Sequence, residues 1–228
     1  MSLPIKAFIA STPNSYKLSI FLELLKLKYE VVPVDLSKND QKQPWFLKVN
    51  PNGKVPTLHD ETNDIKLGES GAILLYLADT YDKERKYSYA PGTKEYYKMI
   101  EAAFFQVGGI GPAVGQSIHF KLIAQEKNPM AIERFHIEIK RLLTVLEEYL
   151  KRNKEEYNSE YLAGSHLSIA DIVHIGFIPY LKVCDVPLND FPGVLKWAQH
   201  VLEHPEIRKG FTIPRKSTLW DDNLASLD

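Results

Sequence analysis

Cysteine is almost missing from this sequence: 228 residues hold a single one, Cys184. A disulfide framework within the chain is therefore excluded, and a reducing, cytoplasmic setting is expected. Long apolar runs are missing as well, and no segment approaches the roughly 20 residues a bilayer-spanning helix needs. The opening Met1-Ser2-Leu3-Pro4-Ile5-Lys6 has no basic flank leading into an apolar signal core, so secretion is not expected. Charge of one sign is also lacking, with 28 Lys and Arg against 29 Asp and Glu and a formal net charge of −1. The two signs are interspersed, so neither nucleic acid nor a membrane surface is expected as a partner. The histidines are scattered without ligand spacing, and no metal is expected. What remains is ordinary globular material, 44% hydrophobic and 11% aromatic, enough for a core in each of two compact units.

The first third of the chain reads as β-α-β-α-β-β-α. Lys6–Ala10 is a short buried strand that ends at the turn Ser11-Thr12-Pro13-Asn14, and from Ser15 to Tyr29 apolar residues recur at helical spacing. Glu30–Leu36 is a second strand, whose Pro33 argues for an edge position or a strand end. An aromatic-anchored turn of helix follows around Trp45 and Phe46, then the turn Asn50-Pro51-Asn52-Gly53, a hairpin of Lys54–Leu58 with Ile65–Leu67, and an apolar helix from Ala72 to Leu77. This order predicts a thioredoxin-like α/β domain over 1–81. The charged, turn-rich residues 82–93 read as a linker. The rest, 94–228, reads as all-α, with helices over 94–106, 132–152, 168–183 and 192–203.

Three places in the first domain could carry chemistry. A strand ending at Ser11-Thr12-Pro13-Asn14 and opening a helix aims free N–H groups and small polar side chains at one point, which favours an anion such as a thiolate. Plain N-capping explains the same residues. Val55-Pro56 puts a proline inside a strand-like run. A cis bond there would present the Val55 backbone to an extended peptide as a short added strand, and an edge-strand proline without function is the alternative. Glu69-Ser70 stands just before a helix, where Ser70 and the first N–H groups suit a carboxylate and Glu69 an ammonium, again with capping as the plainer reading. Thiol, peptide backbone and zwitterionic end together are the parts of glutathione.

At this point the sequence resembles the glutathione transferases over nearly its whole length. Asn50-Pro51-Asn52-Gly53-Lys54-Val55-Pro56-Thr57-Leu58 is similar to that family's N-P-x-G-K-V-P-x-L segment, Glu69-Ser70-Gly71-Ala72-Ile73 to its E-S-x-A-I, and Ser168-Ile169-Ala170-Asp171 to its helical-domain S-x-A-D signature, which also reads as a capping box. Thr12-Pro13-Asn14 with Lys17 resembles the T-P-N-G-x-K turn of the nu-class bacterial and fungal nitrogen-regulator-like members. The stretch Phe105–Pro112 through Gly115-Gln116, with His119-Phe120 and Ala131–Arg134, is similar to the same group. Its glycines either break the helix or allow a close approach of helix and substrate.

The resemblance implies an α/β thioredoxin-like domain plus an all-α domain, glutathione as co-substrate, and a homodimer. It implies that Asn14 contacts the glutathione sulfur with Thr12 beside it. Ser11, at the catalytic serine position of theta- and delta-type members, is the rival for thiol activation. Val55, with Pro56, takes the cysteinyl backbone, Glu69 and Ser70 the γ-glutamyl end, and Gln41 and Lys54 the glycine carboxylate. Arg134 reaches in from the second subunit. Gly109, Gln116, His119 and Phe120 belong to the second-substrate pocket. Ser15 departs from the motif, which has glycine there. No cysteine lies in the turn, so a protein thiolate mechanism is excluded and any disulfide chemistry must use the sulfurs of glutathione.

Two functions follow. One is a glutathione transferase that reduces disulfides or peroxides or conjugates electrophiles, the detoxification chemistry of such enzymes. The other is a regulatory module on the same fold. The regulators carry an Asn/Gln-rich N-terminal extension, and this sequence enters its first strand almost at once, which favours the enzyme.

Overall fold

The computed structural model describes residues 4–216. They divide into two compact units, residues 4–84 with 204–216, and residues 85–203.

The first unit follows the predicted order. It runs β1 (Ile5–Ile9), α1 (Pro13–Leu24), β2 (Glu30–Pro33), α2 (Pro44–Leu47), β3 (Thr57–Asp60), β4 (Ile65–Leu67) and α3 (Ser70–Tyr81), with 3-10 turns at Leu36–Lys38 and Asp40–Lys42. The sheet order is β2-β1-β3-β4, with β1 parallel to β2 and antiparallel to β3. The nearly continuous apolar run of β1 suits a central strand, and Ile5, Ala7, Phe8 and Ile9 are all buried. β2 lies at the edge and ends at Pro33, opposite Ile9, where the missing N–H of proline is tolerated. The β3 ladder runs over Thr57–Asp60 rather than the expected Lys54–Leu58. The Val55-Pro56 bond is cis, and Pro56 has no N–H to give to a ladder. Asp60, at the end of β3, accepts from Tyr76 Oη (2.7 Å), Asn63 Nδ2 (2.9 Å) and Tyr81 Oη, which fastens α3 to the hairpin.

The sequence reading misses α9 (Pro205–Gly210) and places the whole of 94–228 in one helical domain. In the structure α9 packs on α1 and counts with the first unit. This explains why α1 has no polar face: Ser15 through Leu22 are buried without interruption. The contact is close. Ser19 Oγ donates to the Gly210 carbonyl at 2.8 Å, and a Cβ on Gly210 would stand 2.6 Å from Ile20 Cα and 2.7 Å from its N. The side chain there would meet backbone, which cannot swing aside. Gly210→Ala is therefore expected to lower stability by about 1–3 kcal/mol, read as a shift in the urea midpoint at unchanged slope.

Among the described residues every regular element of the second unit is helical, chiefly α4 (Lys94–Phe105), α5 (Gly111–Ile118), α6 (Pro129–Tyr157), α7 (Ile169–Ile175) and α8 (Pro192–Val201). The glycine-rich segment does not break the helix. A π-helical turn at Gln106–Ile110 joins α4 to α5, and another at His119–Ile123 follows α5. The close approach made by Gly109 is to α6, where its Cβ would lie 3.2 Å from Leu142, whereas Gly108 and Gly115 face open space. The helix expected over 168–183 stops at Ile175. Gly176 follows, and Pro179, which cannot donate, starts a series of short 3-10 turns. Cys184 lies in the second of these, buried, its thiol pushed up by burial, which fits a packed small residue. The expected capping box of Ser168 and Asp171 is formed. Asp171 is completely buried and accepts from Leu162 N (2.9 Å), Ser168 N (2.9 Å) and Trp197 Nε1 (2.8 Å). Burial pushes its carboxyl up to about 6, and these donors pull the other way.

Candidate active site

The turn before α1 sorts its four residues by what each side chain is already doing. Thr12 is the N-cap, in extended backbone, and its Oγ1 accepts from Ser15 N at 3.3 Å. Its hydroxyl donates to Ser15 Oγ at 3.0 Å, and that oxygen also accepts from Ala10 N at 3.3 Å. Ser15, where the motif has glycine, thus braces the turn against the end of β1. Ser11 Oγ donates to the Arg215 carbonyl at 3.4 Å. Asn14, at the second position of the helix, is exposed and has no capping duty.

The loop leading into β3 is organised by Asn50, which sequence reasoning treats only as turn composition. Its Nδ2 donates to the Lys54 carbonyl (2.9 Å) and to Thr57 Oγ1 (2.9 Å), while its Oδ1 accepts from Asn52 N (3.0 Å). Gly53 has φ +62°, and a Cβ there would lie 2.8 Å from the Gln41 carbonyl, so the loop closes on the Gln41 segment only with glycine. A Cβ on Gly68 would meet Asn50 Nδ2 at 2.8 Å, which brings the same loop against the approach to α3. Val55 lies outside the β3 ladder. Among the described residues neither its N–H nor its C=O has a protein hydrogen-bond partner, leaving both for an added strand. Lys54 is exposed. Gln41 is half-buried, with its Oε1 buried and unpartnered among the described residues, an unusual state that invites a ligand.

At the start of α3, Glu69 sits at φ 60°, ψ 106°, a conformation that costs a residue with a Cβ about 1–3 kcal/mol and is concentrated at functional sites. Its exposed side chain makes no capping bond, so capping does not explain it. Ser70 is buried and donates to Asn14 Oδ1 at 3.5 Å, a long contact. Behind it lies Lys17, fully buried in α1, whose Nζ donates to Ser70 Oγ at 3.3 Å. Sequence reasoning notes Lys17 only as part of a motif. The signal that could have found it is a lysine amid Tyr16, Leu18 and Ile20 on a helix buried all round.

Burial pulls the Lys17 ammonium down to about 7 from its ordinary 10.5, with the charge of Glu69 opposing. Below about pH 7 both folded and unfolded chains carry the charge, and the folded state bears its full desolvation. Between 7 and 10.5 only the unfolded chain binds the proton, so stability rises with pH there, by up to about 1.4 kcal/mol per unit. Lys17→Met removes this dependence. Its stability relative to the wild type is expected to be highest below about pH 7 and to fall toward 10.5, which urea melts at about pH 6.5 and about pH 9.5 would read.

The structure thus links the Asn14 turn, the Glu69-Ser70 start and the Asn50–Val55 loop within one unit. The remaining sequence candidates lie in the other unit. Arg134 is exposed on α6. Gln116 and His119 are exposed three residues apart, and Phe120 stacks on Phe135 with ring centroids 6.0 Å apart. Among the described residues no cluster of three or more His, Cys, Asp or Glu could hold a metal ion, and no helix is long and apolar enough to cross a membrane.

A thioredoxin-like sheet with an anion-suited helix start, followed by a helical unit, defines the glutathione-transferase architecture. Residues 3–79 match the glutathione S-transferase N-terminal domain and residues 112–205 its C-terminal domain. Glutathione S-transferase 1 of Schizosaccharomyces pombe is 41% identical over 89% of this chain and 92% of its own length. The disulfide-bond oxidoreductase YfcG of Escherichia coli is 36% identical over 88% and 91%. Among solved structures, a glutathione transferase homolog from Lodderomyces elongisporus, crystallised with two GSH per subunit, is 46% identical with a TM-score of 0.89, covering 92% of this chain and 99% of that one. The chain belongs to the glutathione S-transferase family and is an enzyme of that family.

Proposed function

We propose that this enzyme binds glutathione as its thiolate at the start of α1 and uses it to reduce disulfides. The observation that carries the reading is Asn14, exposed at the helix start, free of capping, and held by Ser70 from the start of α3. Its amide is offered to the sulfur, where the helix dipole also favours negative charge. Val55 offers its N–H and C=O to the cysteinyl backbone. Ser70 and the first N–H groups of α3 take the γ-glutamyl carboxylate, Glu69 the ammonium, and Gln41 with Lys54 the glycine carboxylate. Ser11 and Thr12 shape the turn rather than activate the thiol.

No protein cysteine lies in the turn, so both reducing sulfurs come from glutathione. One thiolate attacks the substrate disulfide and releases one substrate thiol. A second glutathione thiolate attacks the mixed disulfide, releases the other substrate thiol and leaves oxidised glutathione. Support comes from the oxidoreductase name of the bacterial relative and from the two GSH per subunit of the Lodderomyces structure. Peroxide reduction and conjugation to electrophiles use the same thiolate.

We assign residues 1–81 to the glutathione-binding domain, 82–93 to the linker and 94–228 to the helical domain, with α9 serving the first unit. The protein acts in the cytoplasm as a homodimer. Arg134 completes the glutathione site across the dimer, and Gly109, Gln116, His119 and Phe120 border the second substrate. Purified protein mixed with glutathione and a small dialkyl disulfide is expected to form oxidised glutathione well above the uncatalysed rate. Absence of both binding and turnover would refute the assignment, and binding without turnover would point to a regulator.

A further inference from the structure

Lys17 carries an ammonium inside a helix that is buried on every side around it. Burying an ammonium is costly unless something returns the energy, and the cap of α1 is supplied by Thr12 without it. Its contact with Ser70 has a direction. An ammonium has three donors and no acceptor, so at 3.3 Å the Ser70 oxygen accepts and its own proton must point elsewhere. It points to Asn14 Oδ1 at 3.5 Å, a contact loose enough to yield to a stronger acceptor. With its oxygen engaged on that side, the Asn14 amide presents its NH2 on the other. A relay Lys17–Ser70–Asn14 therefore joins the residue assigned to the γ-glutamyl carboxylate to the residue assigned to the sulfur.

We propose that Lys17 is a positioning residue of the glutathione site. It fixes the Ser70 hydroxyl as an outward donor and supplies the buried positive charge against which the ligand carboxylate and thiolate are bound. The inference rests on the functional reading above. Lys17 touches no reacting atom, and acts through Ser70 and through its field. Glu69, the charged group acting on Lys17 from the start of α3, partly offsets that field. When the ammonium of glutathione engages Glu69, this offset falls and the lysine charge is better expressed toward the two anionic groups.

Lys17→Met tests this in the intact enzyme, removing the charge while keeping an unbranched chain of similar length. A single cooperative melt shows that the variant is folded. Its glutathione dissociation constant by calorimetry is expected to rise on the order of tenfold. The thiol pKa of bound glutathione, followed by thiolate ultraviolet absorbance, is expected to rise by about one unit. The double variant with Ser70→Ala should bind glutathione more tightly than the two single losses multiplied would give, since part of the lysine's effect passes through that hydroxyl. Lys17→Gln keeps a donor for Ser70 without the charge, so it should recover part of the affinity while the thiol stays shifted. It also serves if the methionine variant does not fold. Wild-type affinity and wild-type thiol titration in these variants would overturn the inference and leave the glutathione site standing. A wild-type enzyme that binds no glutathione would instead remove the functional reading beneath it.

Discussion

Asn14→Ala is expected to lower glutathione-dependent turnover on the order of a hundredfold, the effect of removing one preorganised donor from a developing or resident anion, with the fold intact. The separation of effects follows from the turn itself. Thr12, not Asn14, caps α1, and Ser15 braces the cap against β1. Truncating an exposed amide that caps nothing leaves those bonds in place, so the melting temperature should hardly move. The helix dipole also survives, so some thiolate stabilisation remains. Ser11→Ala is the paired control. The Ser11 hydroxyl is turned toward the Arg215 carbonyl, and its loss should change turnover by less than about threefold, within the range of a neutral surface hydrogen bond. Steady-state kinetics on the two variants decide between them, and the opposite ranking would move thiol activation to Ser11.

Asp171→Ala is expected to have the largest effect on stability, a loss of at least about 3 kcal/mol. Its carboxylate collects donors from three separate places: Leu162 N in the loop before α7, Ser168 N at the cap, and Trp197 Nε1 on α8. All these residues are buried. Truncation leaves each donor dry, at about 1–3 kcal/mol apiece, in a protein whose whole stability is of order 5–15 kcal/mol. Urea melts monitored by Trp197 fluorescence would show it. A loss below about 1 kcal/mol would mean that water reaches the vacated space and replaces the carboxylate.

How much of this could be read from the chain depends on the range of the interaction concerned. Strand and helix order in the first unit follows from local periodicity, and the Ser168–Asp171 box from a three-residue spacing, so both are legible. The edge position of Pro33 is legible too, because proline excludes the alternatives. The duties of the α1 turn are not. Serine, threonine and asparagine before a helix look alike as letters, and only the contact of Ser11 with residue 215 and of Asn14 with Ser70 tells them apart. Asn50 and Lys17 hide for the same reason: one looks like turn composition and the other like a surface lysine until long-range packing covers them. The glycine-rich run is ambiguous in sequence because a π-helical turn and a helix break share one composition, and Leu142, which sets the close approach, lies 33 positions away from Gly109. α9 is short and its partner α1 is nearly two hundred residues earlier, beyond any local pattern.

That last pairing also orders events at the ribosome. The face of α1 that meets Gly210 is made within the first two dozen residues, but its cover is made after the whole of 85–203. The sheet can assemble early, whereas the side of α1 that α9 covers must wait until residues 205–210 have been made. The helical unit can complete itself within that interval. The site-bearing unit, although it comes first in the sequence, is thus the last to close.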